Sequence, residues 1–319
     1  MSVINFQMQI IQAEGDKEDV VTIKGSRFSY EFRPKWGGIL NQWEVLTDCN
    51  WRAVINAFDS AEDFKSNYGN KGFPSCKLSP YACRIRDSRY LFEGKSYRIG
   101  KFGYDRHNIH GLLFDSEFSI DNIIESDDKV NIVLVTTYRG EDSGFPFLYD
   151  LKLDYQVDDS GFICIKTTVK NVGNSGMPVV DGWHPYFSVS SRIDDVSLCI
   201  LADEVLQFDE NLIPTGEKLV FSDFNSPGLI GGMQLDNCFP LNGRTGMVCS
   251  LSYEELKLEI SAWKHYNYLQ LFIPPDRKSI AIELLSGAPD AFNNGMGLTV
   301  LQPGESRIFE CSYHLKLSQ

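Results

Sequence analysis

The sequence predicts an all-β protein built as a large antiparallel β-sandwich, and three observations carry that prediction. Short apolar runs with period-2 alternation recur along the chain, they are rich in Val, Ile, Thr, Tyr and Phe, and Gly, Asn, Asp and Pro stand between them. Alternation sends successive side chains to opposite faces of a pleated strand, so two sheets packed face to face bury one half of each strand. β-Branched and aromatic residues suit that half-buried surface.

In chain order, residues 61–66 offer a helical turn, and no long stretch with a 3.6-residue period stands out. Residues 90–97 read as a strand. Residues 129–139 (KVNIVLVTTYR), 147–157 (FLYDLKLDYQV) and 162–171 (FICIKTTVKN) alternate in succession. Turn chemistry at Asp158-Asp159-Ser160-Gly161 and Asn171-Val172-Gly173-Asn174 brackets the last of them. Residues 256–263 (LKLEISAW), 268–273 (YLQLFI) and 306–317 (SRIFECSYHLKL) repeat the pattern, and 279–285 (SIAIELL) is an apolar strand holding one carboxylate. No Gly/Ser or Pro linker, charge block or low-complexity tract interrupts the chain, so residues 1–319 read as a single domain. A self-similar period of roughly 20–50 residues is missing, which argues against a propeller or solenoid.

The chain has 319 residues, 43% of them hydrophobic, enough for a large core, and its net charge is −13. A sequence pI of about 4.9 means a surface that repels nucleic-acid phosphates and anionic lipids. Nucleic-acid and membrane partners are therefore not expected. Residues 1–7 (MSVINFQ) show no basic segment followed by an apolar run of roughly 7–15 residues, so no secretory leader is read there. No apolar stretch of about 18 residues suits a membrane helix. The eight Cys (49, 76, 83, 164, 199, 238, 249 and 311) form no C-x-x-C pair or zinc-ligand spacing, which fits free thiols in a reducing cytoplasm. Gly295-Met296-Gly297 lacks the third glycine of a dinucleotide fingerprint, and neither a Walker A, an H-E-x-x-H nor a G-x-S-x-G sequence occurs.

Of the five histidines, two lie in unusual contexts. His110 precedes Gly111, where backbone can approach a ligand closely. His184 lies in Asp181-Gly182-Trp183-His184-Pro185-Tyr186-Phe187, where proline breaks the ladder and places the histidine at a strand end or bulge. Aromatic neighbours beside a polar group suit a ligand with apolar faces and hydroxyl edges, and Trp183 and Tyr186 either stack on it or pack in the core. For both histidines the alternative is a hydrogen-bonded core or surface residue, and that plain role suits His107, His265 and His314. Glu283 is a lone carboxylate in an apolar strand, so it is either ion-paired or functional, because burying an unpaired carboxylate is costly. Asp236 is a turn residue or a pocket carboxylate. Arg84 is a surface ion-pair partner or a donor to ligand hydroxyls.

Taken in order, several segments resemble the aldose 1-epimerase (galactose mutarotase-like) family, from about Trp36-Gly37-Gly38 to Pro303-Gly304-Glu305. They are Pro80-Tyr81-Ala82-Cys83-Arg84-Ile85, Glu93-Gly94-Lys95, Asn108-Ile109-His110-Gly111, Gly182-Trp183-His184-Pro185-Tyr186-Phe187 and Leu235-Asp236-Asn237-Cys238-Phe239. Ile282-Glu283 and Ala288-Pro289-Asp290-Ala291-Phe292-Asn293 close the set. Each segment alone is unspecific; their shared order is specific. The resemblance implies the twisted supersandwich fold and interconversion of α and β sugar anomers. His184 then corresponds to the catalytic acid, Glu283 to the catalytic base, and His110, Arg84 and Asp236 to substrate-binding residues. The chain departs from the family pattern at Cys83, where many members have Asn, and at Leu284 and Ser286, where many have Pro and Thr. The Trp-His-Pro-Tyr-Phe context points to the broader branch rather than to strict galactose mutarotases.

That chemistry needs two proton transfers and neither metal nor organic cofactor. With ordinary pKa values of about 4.3 and 6.5, Glu283 is expected to be ionised and His184 able to donate. The alternatives are the same reaction on a hexose 6-phosphate, with Arg84, Arg86 and Arg89 as a phosphate pocket, a non-catalytic sugar-binding protein, or a carbohydrate lyase or hydrolase. The sequence leaves the sugar and the oligomeric state open.

Overall fold

The computed structural model describes residues 7–12, 19–101, 103–126 and 128–317, with 7–12 and Tyr104 as backbone. Residues 1–6, read above for a leader, lie outside the described residues. The molecule is 53% strand and 6% helix, as the alternation requires.

A five-stranded antiparallel meander comes first: Gln7–Gln12, Asp19–Lys24, Phe28–Arg33, Ile39–Thr47 and Asn50–Asn56. The largest sheet has nine strands and centres on the C-terminal strand. Ser306–Leu317 lies between Phe162–Asn171 and Leu256–Lys264, antiparallel to both. Burial alternates along it and its neighbours: Leu151, Leu153, Tyr155 and Val157 point inward from one strand, and Phe309, Cys311, Tyr313 and Leu315 from another. The third sheet, in the order Asp236–Pro240, Tyr268–Phe272, Ile280–Leu285, Gly182–His184 and Cys76–Leu78, also pairs Tyr186–Phe187 with Ile280–Leu285. All six residues of Ile280–Leu285 are buried, so this strand is covered on both faces and reads as an apolar run rather than an alternating one. Trp183 meets Tyr313 of the nine-stranded sheet edge-on, with ring centroids 4.9 Å apart. That contact marks the inter-sheet core behind the third sheet.

Local chemistry explains the smaller elements. Ala61–Asn67 is a helix whose Ser60 hydroxyl accepts from the Asp63 amide at 3.1 Å, an N-cap. The strand expected over 90–97 is instead a hairpin, Arg89–Phe92 against Lys95–Arg98. Its two-residue turn, Glu93 and Gly94, has φ of 49° and 75°, the left-handed geometry that a tight hairpin turn demands. After the last strand of the third sheet, Ser286–Asp290 turns into a short helix, Ala291–Asn294. Among the described residues no helix is long and apolar enough to cross a membrane.

Candidate active site

The site is one transverse row of the third sheet. Cys238 stands opposite Gln270, and Gln270 opposite Glu283. Gly182 pairs with Leu285 and Tyr186 with Ala281, which keeps one register and sets residue 184 across from 283. His184 in turn pairs with Cys76. Side chains of one row share a face of the pleat, so four strands deliver Cys238, Gln270, Glu283 and His184 side by side. The result is a contact of 3.3 Å between His184 Nε2 and Glu283 Oε1. Asp236, two residues before Cys238 and therefore on the same face, accepts from Gln270 Nε2 at 3.0 Å.

The second histidine arrives from a different sheet. His107–Ile109 pairs with Arg84–Ile85, and Ile109 stands opposite Arg84. His110 follows in the left-handed region at φ 63°, its amide donating to the Cys83 carbonyl at 3.0 Å. Gly111 must be glycine: φ is +83°, and a Cβ there would lie 2.3 Å from the Ser79 carbonyl oxygen. This turn brings the His110 ring perpendicular to that of His184, with centroids 4.8 Å apart. Phe73, at φ 57°, holds the other side of His110 at 4.9 Å.

His110, His184, Glu283, Gln270, Asp236 and Phe73 line a cavity of about 310 Å³ together with Arg84, Tyr186, Phe272 and Lys71. The His110, His184 and Glu283 residues are 7%, 4% and 2% exposed. His110 Nδ1, His184 Nδ1, Glu283 Oε2 and Gln270 Oε1 are buried without a hydrogen-bond partner among the described residues. Buried polar atoms normally have partners. Here four such atoms belong to residues that line one cavity, which suits a polyhydroxylated ligand able to supply the missing partners.

Burial dominates the electrostatics. It raises the Glu283 carboxyl well above its ordinary range, and nearby Asp236 adds to the effect. Burial lowers His184 to about 4. It also lowers His110 strongly, with His184 and Arg84 contributing. Asp236 is raised by burial, against the pull of Arg84 and the Gln270 hydrogen bond. The expectation of ordinary pKa values is thus corrected: the enclosed pocket favours neutral imidazole and protonated carboxyl, because desolvation penalises both charged forms.

All five candidate residues, His184, Glu283, His110, Arg84 and Asp236, line this one cavity. Trp183 does not. It is 2% exposed, donates from Nε1 to the Ser75 carbonyl at 2.9 Å and faces the inter-sheet core, because it lies one residue out of phase with His184. Tyr186 does line the cavity and stacks on His184 at 5.0 Å. Of the basic cluster, Arg86 is paired with Asp209 at 2.5 Å, and Arg89 is not among the cavity-lining residues. Sequence reasoning missed Gln270, Lys71 and Phe73. Gln270 was findable: it is a lone polar residue in Tyr-Leu-Gln-Leu-Phe, the same signal that singled out Glu283. Lys71 and Phe73 sit in a loop with no period to read.

His110, His184 and Glu283 each offer a metal-ligand atom, and these atoms lie within 4.8 Å of one another. Two bonds of about 2.1 Å span at most about 4.2 Å, so a set that wide must draw in to close on a first-row ion. The same spacing leaves room for sugar oxygens between the groups.

Comparison with known proteins places this geometry in context. The profile described as aldose 1-epimerase matches residues 19–314. An uncharacterized protein, YihR, of Escherichia coli (strain K12) is 23% identical over 243 residues, 73% of this chain and 76% of that protein. The aldose 1-epimerase of the same strain is 28% identical over 203 residues, 61% of this chain and 57% of that protein's length. Among solved structures, a galactose mutarotase-like protein from Clostridium acetobutylicum superimposes with a TM-score of 0.83 at 19% identity, covering 98% of this chain and 99% of that one. A galactose 1-epimerase from Lactobacillus acidophilus gives 0.81 at 16% identity, covering 99% and 100%. These likenesses establish the fold.

Proposed function

The chain belongs to the aldose 1-epimerase family, a family of isomerases, and we propose that it interconverts the α and β anomers of a free, uncharged aldose. The observation that carries this reading is the buried 3.3 Å contact between His184 Nε2 and Glu283 Oε1 at the floor of a cavity. A pure sugar-binding protein has no need of an acid–base pair.

In the proposed mechanism Glu283 takes the proton of the anomeric hydroxyl O1. The C1–O5 bond breaks, its electron pair moves to the ring oxygen O5, and O5 takes a proton from His184 as C1=O1 forms. Rotation about C1–C2 presents the other carbonyl face, and both transfers run backwards as the ring closes. At the open-chain stage the imidazole is neutral and the carboxyl protonated. That is the state that burial favours for these two groups. The enclosed pocket therefore lowers the energy of the intermediate relative to the ion pair that begins the cycle. Arg84 and His110 hold the carbonyl-like oxygen and neighbouring hydroxyls, and Asp236 accepts from ring hydroxyls.

The cavity's charges support a neutral substrate. Lys71 at the rim is held by Asp63 at 2.5 Å and Asp59 at 3.9 Å, and Arg84 is opposed by the nearby Asp236 carboxylate. A volume of about 310 Å³ is at the small end of ligand pockets, which begin near about 300 Å³, and fits one sugar ring. The net charge of −13 further disfavours nucleic acid as a partner. We place the enzyme in the cytoplasm, where its free thiols stay reduced.

The test is the optical rotation of freshly dissolved α-glucose and α-galactose, with wild type and with Glu283→Gln. Faster decay with wild type alone is the expected result. Acceleration confined to hexose 6-phosphates, blocked by inorganic phosphate, would replace the neutral substrate by a phosphorylated one. No acceleration of any aldose would remove the reading.

A further inference from the structure

Behind the acid–base row lies a second buried ionic cluster that the reaction does not use. Lys77 and Asp181, with side chains 3% and 0% exposed, pair at 2.6 Å. Lys77 Nζ also donates to Thr167 Oγ1 at 3.0 Å, and Tyr266 OH donates to the same Asp181 oxygen at 2.6 Å. A buried ion pair seldom stabilises a fold more than apolar residues of similar volume would, because both charges must be desolvated. Stability therefore does not account for it, and its location does.

The cluster has one member on, or leading into, each of four strands of the row. Lys77 adjoins Cys76, Asp181 stands three residues before His184, and Tyr266 leads into the strand of Gln270. Ser286, three residues after Glu283, is tied to Asp181 twice: the Asp181 amide donates to Ser286 Oγ at 2.8 Å, and the Ser286 amide to the Asp181 carbonyl at 2.8 Å. Thr167 fastens the group to the nine-stranded sheet. These ties matter because the ladder is thin here. Gly182–His184 pairs with Ile280–Leu285 at Gly182 and Leu285 alone. Pro185, which follows His184, has no N–H to donate. Beyond Pro185 the ladder resumes, with the Ile282 amide donating to the Pro185 carbonyl at 3.2 Å and Tyr186 opposite Ala281, so the spacing of His184 and Glu283 is set on one side by that ladder and on the other by the Asp181–Ser286 end.

We propose that Lys77 and Asp181 are positioning residues that hold His184 and Glu283 at their working separation. The inference rests on the anomer-exchange reading above. Replacing the pair by apolar residues of similar size, Lys77→Met with Asp181→Leu, should preserve the fold. That variant keeps the two backbone bonds of residue 181 to Ser286 but loses the side-chain bonds that tie this end to Lys77, Thr167 and Tyr266. A misplacement of about 1 Å costs about 10²-fold in rate, so kcat is expected to fall by about that factor. KM, and the affinity for a 1-deoxy pyranose that binds without reacting, should stay within about threefold, the signature of an interaction made in the transition state. Tyr266→Phe, which leaves the ion pair intact, should lose less.

Polarimetry of wild type, the double variant and Tyr266→Phe, each checked for a native melting transition, gives the first measurement. The ¹⁵N NMR titration of the His184 ring gives the second. A folded double variant with wild-type kcat would overturn the inference while leaving the proposed reaction in place. If the double variant does not fold, Asp181→Asn, which keeps size and backbone bonds but removes the ion pair, takes its place, and a wild-type kcat there overturns the inference equally. If wild type accelerates no aldose, the proposed reaction falls. The NMR titration then decides positioning by itself: a shift of His184 in either variant supports it, and an unmoved His184 overturns it.

Discussion

Glu283 and His184 meet as two groups that burial drives toward neutrality, and that single fact dictates how they should respond to substitution and to pH. Glu283→Gln retains size and hydrogen bonding but cannot accept the O1 proton. Its turnover should fall by about 10²–10⁴-fold with the melting temperature nearly unchanged. His184→Asn should lose a similar factor in kcat while KM stays close to wild type; a polarimetric rate equal to wild type would exclude His184 as the acid. The pair works with one proton between the two groups. A second proton is added as pH falls through the His184 value of about 4. The last proton leaves only above the raised Glu283 value. A plot of kcat/KM against pH, corrected for spontaneous mutarotation, should therefore hold a plateau through neutrality with its acid limb near about 4. A limb near the ordinary histidine value of about 6.5 would mean that the site is wetter than its burial implies.

At the scale of the element, the site is a property of strand register. A slip by one residue would turn Glu283 and Gln270 away from His184 and bring Leu284 and Leu271 to the cavity face. The histidine from the smaller sheet is held differently, by the turn at Gly111. Gly111→Ala puts a Cβ 2.3 Å from the Ser79 oxygen. That oxygen accepts from the Leu112 and Leu113 amides at 2.7 and 3.3 Å, so it cannot yield without disturbing the turn. The variant should be destabilised by about 1–3 kcal/mol, read as a lower urea midpoint. KM should rise as His110 leaves its place beside His184, and an unchanged midpoint would show that the turn relaxes freely.

For the whole molecule, the largest core cluster runs from Val21 to Leu315 and includes Trp43 of the N-terminal meander, Tyr155 and Tyr313 of the nine-stranded sheet, and Leu269 and Ile282 of the site sheet. A core shared by the three largest sheets supports our proposal that residues 1–319 form one cooperative domain. Urea unfolding followed by tryptophan fluorescence and by far-UV circular dichroism should then give coincident single transitions. Separate midpoints would divide the chain into independent units.

Much of this was legible in the sequence, because alternation, turn residues and lone polar groups in apolar strands are local signals. They located five strands of the nine-stranded sheet, the helical turn after Ser60 and Glu283 itself, and the ordered motifs pointed to the family. The hairpin at Glu93-Gly94 was also encoded locally, in a two-residue turn that needs positive φ, but was read as one strand. Other features had no local trace. Trp183 and His184 are adjacent in sequence and face opposite sides of a sheet, so only the register tells the core residue from the cavity residue. Gln270, Glu283 and His184 come from three strands and lie up to 99 positions apart, and their alignment depends on pairing across the sheet. The pKa directions likewise follow from burial, a sum over neighbours distant in sequence. Composition and period thus determined the fold class and nominated the reactive groups. Tertiary structure decided which of them meet and which proton state they hold, because distance and desolvation are properties of the packed chain.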